Sequence, residues 1–283
     1  MLTLVETISL AGDRNKQNDD VAGAFGSFAW VIDGATDLVS PPISSWASDA
    51  AWIAYQLHDE FNRNAPHTEV SAHRMRALIW QASVQAKMAF DKFGGADERW
   101  KSPTASILAV GEADDGLIGL DLGDCRCFAL DSDGGAHSAG SRENGTDDER
   151  ARAREASKRA GSAALLRDPD TMTMLRSIRA QHNLSGGHYW VFGLQRSCAD
   201  HARDWTLPLK RPAHVLLCTD GFSALVDRYK VYDAGGLVKA ALDKGLQELG
   251  RELRAIEAAD SGGAQHPRFK KSDDATALLL RLT

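Results

Sequence analysis

Runs of residues that favour β-strands occur in clusters along this 283-residue sequence, and the helical stretches between them come in pairs. One cluster covers 2–10 and 25–32, and short runs from 104 to 139, separated by Gly- and Asp-rich turns, favour an antiparallel meander. Two further strands are predicted at 214–219 and 275–282. Strands grouped in this way are typical of an α+β sandwich and not of alternating βαβ units.

Apolar residues spaced three or four apart predict amphipathic helices around 46–61, 78–93 and 242–256. Residues 170–212 show no such spacing and are predicted to be irregular. The charge-dense stretch 141–162 predicts a solvated helix or a mobile surface segment, with a substrate-facing basic patch as the alternative. A chain of this length can form one large domain or two small ones.

The composition excludes several classes of function. A net charge of −6 argues against a nucleic-acid partner, because phosphate backbones are bound by clustered Lys and Arg. No uncharged apolar run is long enough to span a membrane, and the N-terminus does not resemble a secretion signal. The four cysteines lack the spacing of a zinc site or a disulfide scaffold and are predicted to be buried, reduced thiols. We therefore expect a soluble, cytoplasmic protein.

Aspartates stand at the ends of several predicted strands. A carboxylate at the end of a rigid strand suits a preorganised site, and a set without His or Cys suits Mg²⁺ or Mn²⁺ better than zinc. A shared carboxylate can hold two such ions about 4 Å apart. A single Asp-Gly pair is a common turn, so the inference depends on the whole set. Its members are Asp19, Asp20, Asp33, Asp124, Asp220, Asp273 and Asp274.

The acidic residues stand in five motifs, which are Arg14…Asn18-Asp19-Asp20, Asp33-Gly34, Gly123-Asp124-Cys125-Arg126, Thr219-Asp220-Gly221 and Asp273-Asp274-Ala275-Thr276. The order of these motifs resembles that of the metal-dependent protein phosphatases of the phosphatase 2C type. The resemblance covers the chain from about residue 10 onward and implies one catalytic domain over 1–283. It implies a four-layer αββα sandwich of two antiparallel sheets flanked by helix pairs, with a variable, flap-like segment at about 141–212.

The resemblance also implies which residues would bind metal. Asp33 would bridge two Mn²⁺ or Mg²⁺ ions. Asp19 and the carbonyl of Gly34 would complete the protein ligands of one ion, and Asp220 and Asp273 would bind the other. These five residues are the expected core of the site.

Three more residues receive roles from the same resemblance. Asp20 would hydrogen-bond metal-bound water, and Asp124 would help to hold a third, weaker ion. Arg14 would grip the phosphate, because its planar fork matches two phosphate oxygens. The implied activity is hydrolysis of phosphate monoesters by a metal-activated water, without a phosphoenzyme. The implied partners are phosphoserine or phosphothreonine proteins and a cognate kinase.

Three departures from the family pattern indicate a divergent, bacterial-type member. Arg14 stands one residue further from the acidic pair than in the family, and Asp19 replaces a glutamate. Ala35 stands where a histidine is often found, so that a histidine general acid is not available there. The first two departures motivate an alternative, in which the chain keeps the phosphatase fold but is a regulatory or binding module with little or no turnover.

Overall fold

Two antiparallel sheets stack face to face, and helices cover the outer face of each. The computed structural model describes residues 1–64, 70–140, 151–157, 162–187 and 189–283. The strands are β1 (Leu2–Leu10), β2 (Val21–Phe25), β3 (Phe28–Gly34), β4 (Thr104–Ala113), β5 (Gly116–Leu122), β6 (Arg126–Leu130), β7 (Ala136–Gly140), β8 (Phe192–Gly193), β9 (Arg203–Pro208), β10 (Ala213–Cys218) and β11 (Ala275–Leu282). The helices are α1 (Asp49–Asn64), α2 (Ala72–Asp91), α3 (Pro169–Ala180), α4 (Asp220–Asp227), α5 (Ala234–Lys244) and α6 (Leu246–Ala259).

Short 3₁₀ turns lie at Arg99–Lys101, Ser162–Arg167 and Arg196–His201, and residues 151–157 are helical. The five-stranded sheet has the order β1-β11-β10-β6-β7. The six-stranded sheet has the order β2-β3-β4-β5-β9, with β8 paired to β4. The runs between 104 and 139 therefore do not form one meander. The strands β4 and β5 pair in one sheet and β6 and β7 in the other, because the chain changes sheets in the turn after β5.

Three apolar layers separate the four layers of secondary structure. Trp30, Leu57 and Phe61 belong to the layer between the six-stranded sheet and the α1–α2 pair. Val31 and Leu108 belong to the layer between the sheets. The third layer, between the five-stranded sheet and helices α4 to α6, includes Phe128, Leu249 and Leu253. This arrangement confirms the predicted α+β class and the four-layer αββα sandwich.

The sequence of β11 is almost continuously apolar because both faces of the strand are covered. Ala277 and Leu279 face the helical layer, whereas Leu278 and Leu280 face the other sheet. Successive side chains of a strand point to opposite faces, and a strand covered on both faces needs apolar residues at every position. The predicted strand at 275–282 is therefore confirmed, with β1 and β10 as its neighbours.

Several predicted elements differ from the structure. The run at 25–32 is the end of one strand and most of another, since β2 and β3 meet in a tight turn around Gly26. The long helix around 242–256 is two helices, α5 and α6, because Gly245 has a φ of 83° that ends the first. The stretch 170–212 contains α3 and β9, so it is not wholly irregular. Asp168 caps α3 by accepting from Thr171 N at 2.9 Å.

The remaining predictions concern the surface segment and the cysteines. Residues 141–150, 158–161 and 188 of the predicted flap-like segment lie outside the described residues. Within the described ranges, no helix is both long enough and apolar enough to cross a membrane. Each of the four cysteines is buried and free of a disulfide, as predicted.

Candidate active site

A cavity of about 920 Å³ lies where β3, β5 and β10 end and β11 begins. One part of its wall carries four of the predicted aspartates. Another part comes from residues 166–182 and 189–191, which are called the α3 segment below. The aspartates are Asp33, Asp124, Asp220 and Asp273. Strand ends from both sheets thus bring acidic residues that are far apart in sequence to one place.

Asp33 is the last residue but one of β3 and lies opposite Ser106 of β4. The next residue, Gly34, donates its N–H to Asp19 O at 3.2 Å. A Cβ at Gly34 would lie 2.6 Å from that same oxygen and 2.7 Å from Ala50 O. Glycine is therefore required here, because any side chain would push the Asp19 turn away from the end of β3.

A threonine links the two acidic turns that come from different sheets. Thr219 precedes α4, and its hydroxyl donates to Asp20 Oδ2 at 2.8 Å. The same hydroxyl accepts from Thr276 N of β11 at 3.0 Å. Asp220 is the first residue of α4, where the helix dipole favours a negative charge.

Asp274 fixes the backbone of the Asp19 turn. Its Oδ2 accepts from Asp19 N and its Oδ1 from Gly12 N, both at 2.7 Å. In the sequence Asp274 belonged to the acidic set without a role of its own, and these two hydrogen bonds give it a positioning role. Asp274 therefore holds the turn that carries Asp19 and Asp20 against the start of β11.

Asp124 lies in the turn that carries the chain from one sheet to the other. Gly123 before it has a φ of 84°, which favours glycine. Ser106 Oγ donates to Asp124 Oδ1 at 2.6 Å, and the Tyr189 hydroxyl lies 3.4 Å from Oδ2. Tyr189 also lines the cavity, so the carboxylate wall and the α3 segment meet at Asp124.

Crowding of carboxylates dominates the electrostatics of the cavity. Burial raises the pKa of Asp33 well above its usual range, and repulsion from four neighbours adds to the shift. These neighbours are Asp20, Asp220, Asp124 and Asp273. Burial also raises the pKa of Asp20 well above its usual range and that of Asp19 to about 6. Each additional negative charge is therefore unfavourable unless a cation offsets it.

The donor chemistry fits a hard cation. Oδ1 of Asp19 and Oδ1 of Asp20 are buried and accept no hydrogen bond within the described residues. Oxygen-only ligand sets of this kind favour Mg²⁺ or Mn²⁺. Within the part of the chain that the structure describes, however, no group of three or more His, Cys, Asp or Glu side chains is arranged to hold a metal ion.

Lys270 contributes to this arrangement by neutralising one of the predicted ligands. Its Nζ lies 2.6 Å from Asp273 Oδ1, and both residues line the cavity. Burial disfavours the ammonium, but attraction to Asp273, Asp220 and Asp33 outweighs it, so the pKa of Lys270 is raised above its usual range. Burial alone would raise the pKa of Asp273, but Lys270 holds it below its usual range. No pattern in the sequence pointed to Lys270.

Arg14 is exposed in the turn before β2 and is not among the residues that line the cavity. The assignment of the phosphate contact to Arg14 stays a prediction. Other arginines do line the cavity, and the sequence offered no signal for them beyond the charge density that includes Arg152. They are Arg152, Arg179, Arg203, Arg228 and Arg268.

Two histidines line the cavity, His182 after the end of α3 and His201 at the end of the 3₁₀ turn Arg196–His201. Burial, with the nearby charge of Arg179, lowers the pKa of His182 to about 3, so its imidazole is neutral near pH 7. His201 stacks on Trp190 with ring centroids 3.4 Å apart. His58, by contrast, accepts from Trp30 Nε1 at 3.2 Å, away from the cavity, and has a packing role.

Comparison with known proteins gives a family and a set of structural neighbours. No curated protein sequence matches this chain. The serine/threonine phosphatase PstP/Ppp of Mycobacterium tuberculosis is similar with a TM-score of 0.58 at 15% identity, over 99% of this chain and 98% of that one. The PPM Ser-Thr phosphatase MsPP of Mycobacterium smegmatis, in complex with cacodylate, gives 0.56 at 16% identity, over 99% and 100%.

The catalytic domain of PstP in complex with two manganese ions gives a TM-score of 0.57 at 15% identity, over 99% of each chain. At such identities these neighbours show the fold alone. The profile of the Protein phosphatase 2C family matches residues 13–254, which is most of the chain but ends before Asp273. The chain therefore belongs to the protein phosphatase 2C family.

Proposed function

We propose that the chain is a metal-dependent serine/threonine protein phosphatase, which hydrolyses phosphate monoesters with an activated water and without a phosphoenzyme. The observation that carries this proposal is the meeting of Asp33, Asp220 and Asp273, from both sheets, at one cavity. The substrates of this phosphatase would be phosphoserine or phosphothreonine proteins, and a cognate kinase would be the partner that forms those substrates.

In this proposal the metal ligands are those implied by the family. Asp33 would be shared by two Mn²⁺ or Mg²⁺ ions, with Asp19 and the Gly34 carbonyl on one side and Asp220 and Asp273 on the other. Such ions, when bound, lower the pKa of water and neutralise charge on the phosphoryl oxygens. The two manganese ions in the PstP domain and the magnesium in RsbX, at TM-scores of 0.57 and 0.50, support this choice of cation.

The other carboxylates would act on the water and on a further ion. Asp20 would accept a hydrogen bond from the attacking water at Oδ1, a buried atom that accepts none within the described residues. The Thr219 hydroxyl occupies Oδ2 and fixes the orientation of the carboxylate. Asp124, held by Ser106, would help to bind a third, weaker ion. A nucleophilic cysteine plays no part, since burial raises the pKa of Cys125 well above its usual range.

Hydrolysis of an aryl phosphate and of phosphoserine and phosphothreonine peptides tests the proposal. We expect turnover with Mn²⁺, its loss with a chelator, and its return when Mn²⁺ is restored. Asp33→Ala should lower kcat by several orders of magnitude with the fold retained. Asp115→Ala, in the exposed turn between β4 and β5, is the matched control and should keep full activity.

The regulatory alternative is favoured by the state of Asp273. This carboxylate pairs with Lys270, and among the described residues no group of three or more His, Cys, Asp or Glu side chains is arranged to hold a metal ion. It predicts that the protein binds phosphoproteins or partner proteins but turns over none of the phosphate esters with any divalent cation. Metal-independent hydrolysis, or wild-type activity in Asp33→Ala, would contradict the assignment of the site.

A further inference from the structure

The arginines that line the cavity differ in how far their N–H groups are already used. Arg203 donates through Nε and Nη2 to the carboxylate of Asp121. Arg268 donates from Nη1 to the carboxylate of Asp260 and from Nη2 to carbonyls on α6 and at Asp260. The fork of Arg268 is committed to the protein's own oxygens through all three nitrogens, and the charge of Arg203 is already paired with the Asp121 carboxylate, so neither offers an unpaired cation to an anion.

Arg228 acts on the carboxylate wall. Its side chain is buried, and its charge helps to lower the pKa of Asp273. It therefore serves a predicted metal ligand. Arg152 lies on the helical stretch 151–157, with residues beyond the described ranges on both sides.

Arg179 is differently placed. Its hydrogen bond within the described residues runs from Nη2 to the carbonyl of Thr36 at 3.1 Å, and no carboxylate of those residues forms an ion pair with it. A guanidinium has five N–H donors in a planar fork, so most of them remain for a ligand. Burial lowers the pKa of Arg179 and attraction to Asp37 opposes the shift, yet the side chain stays charged near neutral pH. A partly buried cation without a paired carboxylate is stabilised when an anion binds.

The backbone around Arg179 is held firmly beside the loop that follows Asp33. Arg176, one turn earlier on α3, donates to Leu38 O at 3.3 Å, and its guanidinium lies 4.3 Å from the Trp100 ring centroid. Arg99 donates to the carbonyls of Ala180 and His182 at the end of α3, at 3.2 and 3.0 Å. The first contact ties α3 to the Asp33 loop, and the others tie it to the 3₁₀ turn at Arg99–Lys101, so that the helix is held in place as a preorganised binding group requires.

From this placement we propose that Arg179 binds the phosphoryl group of the substrate, with two N–H groups of its fork on two phosphate oxygens. This inference rests on the proposed phosphatase function and deepens it. It moves the phosphate contact from the exposed Arg14, at the N-terminal acidic motif, to a residue of the variable segment.

Binding of inorganic phosphate to the Mn²⁺-loaded protein, measured by calorimetry, tests the proposal without requiring turnover. We expect Arg179→Gln to weaken phosphate binding and to raise the KM for an aryl phosphate by about 10- to 100-fold, the usual range for a lost charge-assisted hydrogen bond. Arg179→Lys should restore part of the binding, since it keeps the charge but loses the fork. Thermal melts of each variant confirm that it is folded.

Arg176→Gln is the matched control, because Arg176 makes a similar bond to the same loop but does not line the cavity. It should change the dissociation constant for phosphate by less than about threefold, within the range of non-contact substitutions. Equal losses in Arg176→Gln and Arg179→Gln would mean that both residues only anchor α3, which overturns the proposal.

Three other outcomes would also overturn it. They are unchanged phosphate binding in folded Arg179→Gln, a loss in Arg14→Gln with none in Arg179→Gln, and no phosphate binding by the wild-type protein. The proposed function fails separately, if the wild type binds phosphate through Arg179 but hydrolyses no ester.

Discussion

Lys270 and a divalent cation would compete for the same oxygen of Asp273. The ammonium lies 2.6 Å from Oδ1, and Asp274 N donates to that oxygen at 3.0 Å. An ion that binds Asp273 there must displace the lysine, and the cost of breaking the pair lowers the affinity for the ion. The lysine is part of the cavity wall, so it could then turn to other anions in the same space.

Replacing Lys270 should therefore strengthen metal binding. We expect Lys270→Met to bind Mn²⁺ about tenfold more tightly at the Asp273 position, a modest gain because the pair is partly exposed to solvent. Calorimetric titration with Mn²⁺ measures this directly. Lys271→Met, which changes an exposed neighbour, serves as the control. Equal or weaker binding by Lys270→Met would show that the ion pair does not oppose the metal.

The raised pKa of Asp19 makes a prediction about stability. Between its ordinary value and about 6, the folded protein holds a proton that the unfolded chain has released. Folding is therefore less favourable as pH rises through this window, and the full penalty is present above it. In chelator at about pH 8, Asp19→Asn should be more stable than the wild type by about 1–3 kcal/mol, and the difference should shrink towards about pH 4.

Urea unfolding at both pH values measures this difference, with the exposed Asp115→Asn as the control. With saturating Mn²⁺ we expect the order to reverse, because the wild type keeps a ligand that the variant lacks. A variant that is less stable than the wild type in chelator at about pH 8 would show that the Asp19 carboxylate is not a source of strain.

At the scale of elements, the loop after Asp33 is tied to the start of α1. Both carboxylate oxygens of Asp37 accept from backbone N–H groups of the helix, from Asp49 N at 2.8 Å and from Ala50 N at 3.0 Å. The carboxylate of Asp49 in turn accepts from Ile43 N and Ser44 N. The loop that follows Asp33, whose Thr36 carbonyl accepts from Arg179, is therefore braced by a helix N-terminus.

Removing this brace should cost stability. We expect Asp37→Ala to lower the free energy of unfolding by about 1–2 kcal/mol, as for other helix caps, and to weaken phosphate binding to a smaller extent than Arg179→Gln. Denaturant unfolding and phosphate calorimetry on one preparation check both statements. Asp59→Ala, on the exposed face of α1, is the matched control. Unchanged stability would mean that the helix start does not depend on Asp37.

The sequence predicted the helices and strands that have a clear hydrophobic pattern of their own. Strand β11 was found because both of its faces are buried, and α1 and α2 because each has a wide apolar stripe. The short α3 was missed because its helical spacing covers few residues and its main signal is the Asp168 cap. The split of the long helix depends on the backbone angle of one glycine, which periodicity does not report.

The residues of the candidate site also fall into two groups, those that the sequence predicted and those that it did not. The aspartates were predicted because a strand end followed or preceded by acid is visible in sequence. The positions of Lys270, Arg179 and Thr219 depend on how distant segments approach one another, and no local pattern encodes such an approach. The family resemblance gave the order of the motifs. Its assignment of the phosphate contact to Arg14, which departs from the family spacing and is not among the residues that line the cavity, stays a prediction.

At the scale of the whole molecule, a metal that binds only the folded state should raise the melting temperature. An ion at one hundred times its dissociation constant adds about 2.7 kcal/mol of stability. Asp33 and Asp20 have pKa values raised well above the usual range, so protons compete with the ion at low pH. The stabilisation by Mn²⁺ should therefore grow from about pH 5 to about pH 8.

Thermal melts with Mn²⁺ and with chelator at each pH measure this stabilisation. Asp33→Asn, which loses the shared ligand, should show a much smaller increase at about pH 8. A shift of the melting temperature that is the same at both pH values would contradict a carboxylate site, since protons and ions would then not share the same oxygens.

The cavity takes Asp33 from one sheet and Asp220 and Asp273 from the other, and apolar side chains such as Leu108 and Leu278 pack between the two sheets. The spacing of the acidic groups is thus a measure of how the two sheets are aligned. A change of volume deep in that interior would slide one set of oxygens past the other without altering any of them. Affinity for cations in this architecture is consequently a property that distant, purely hydrophobic positions can tune.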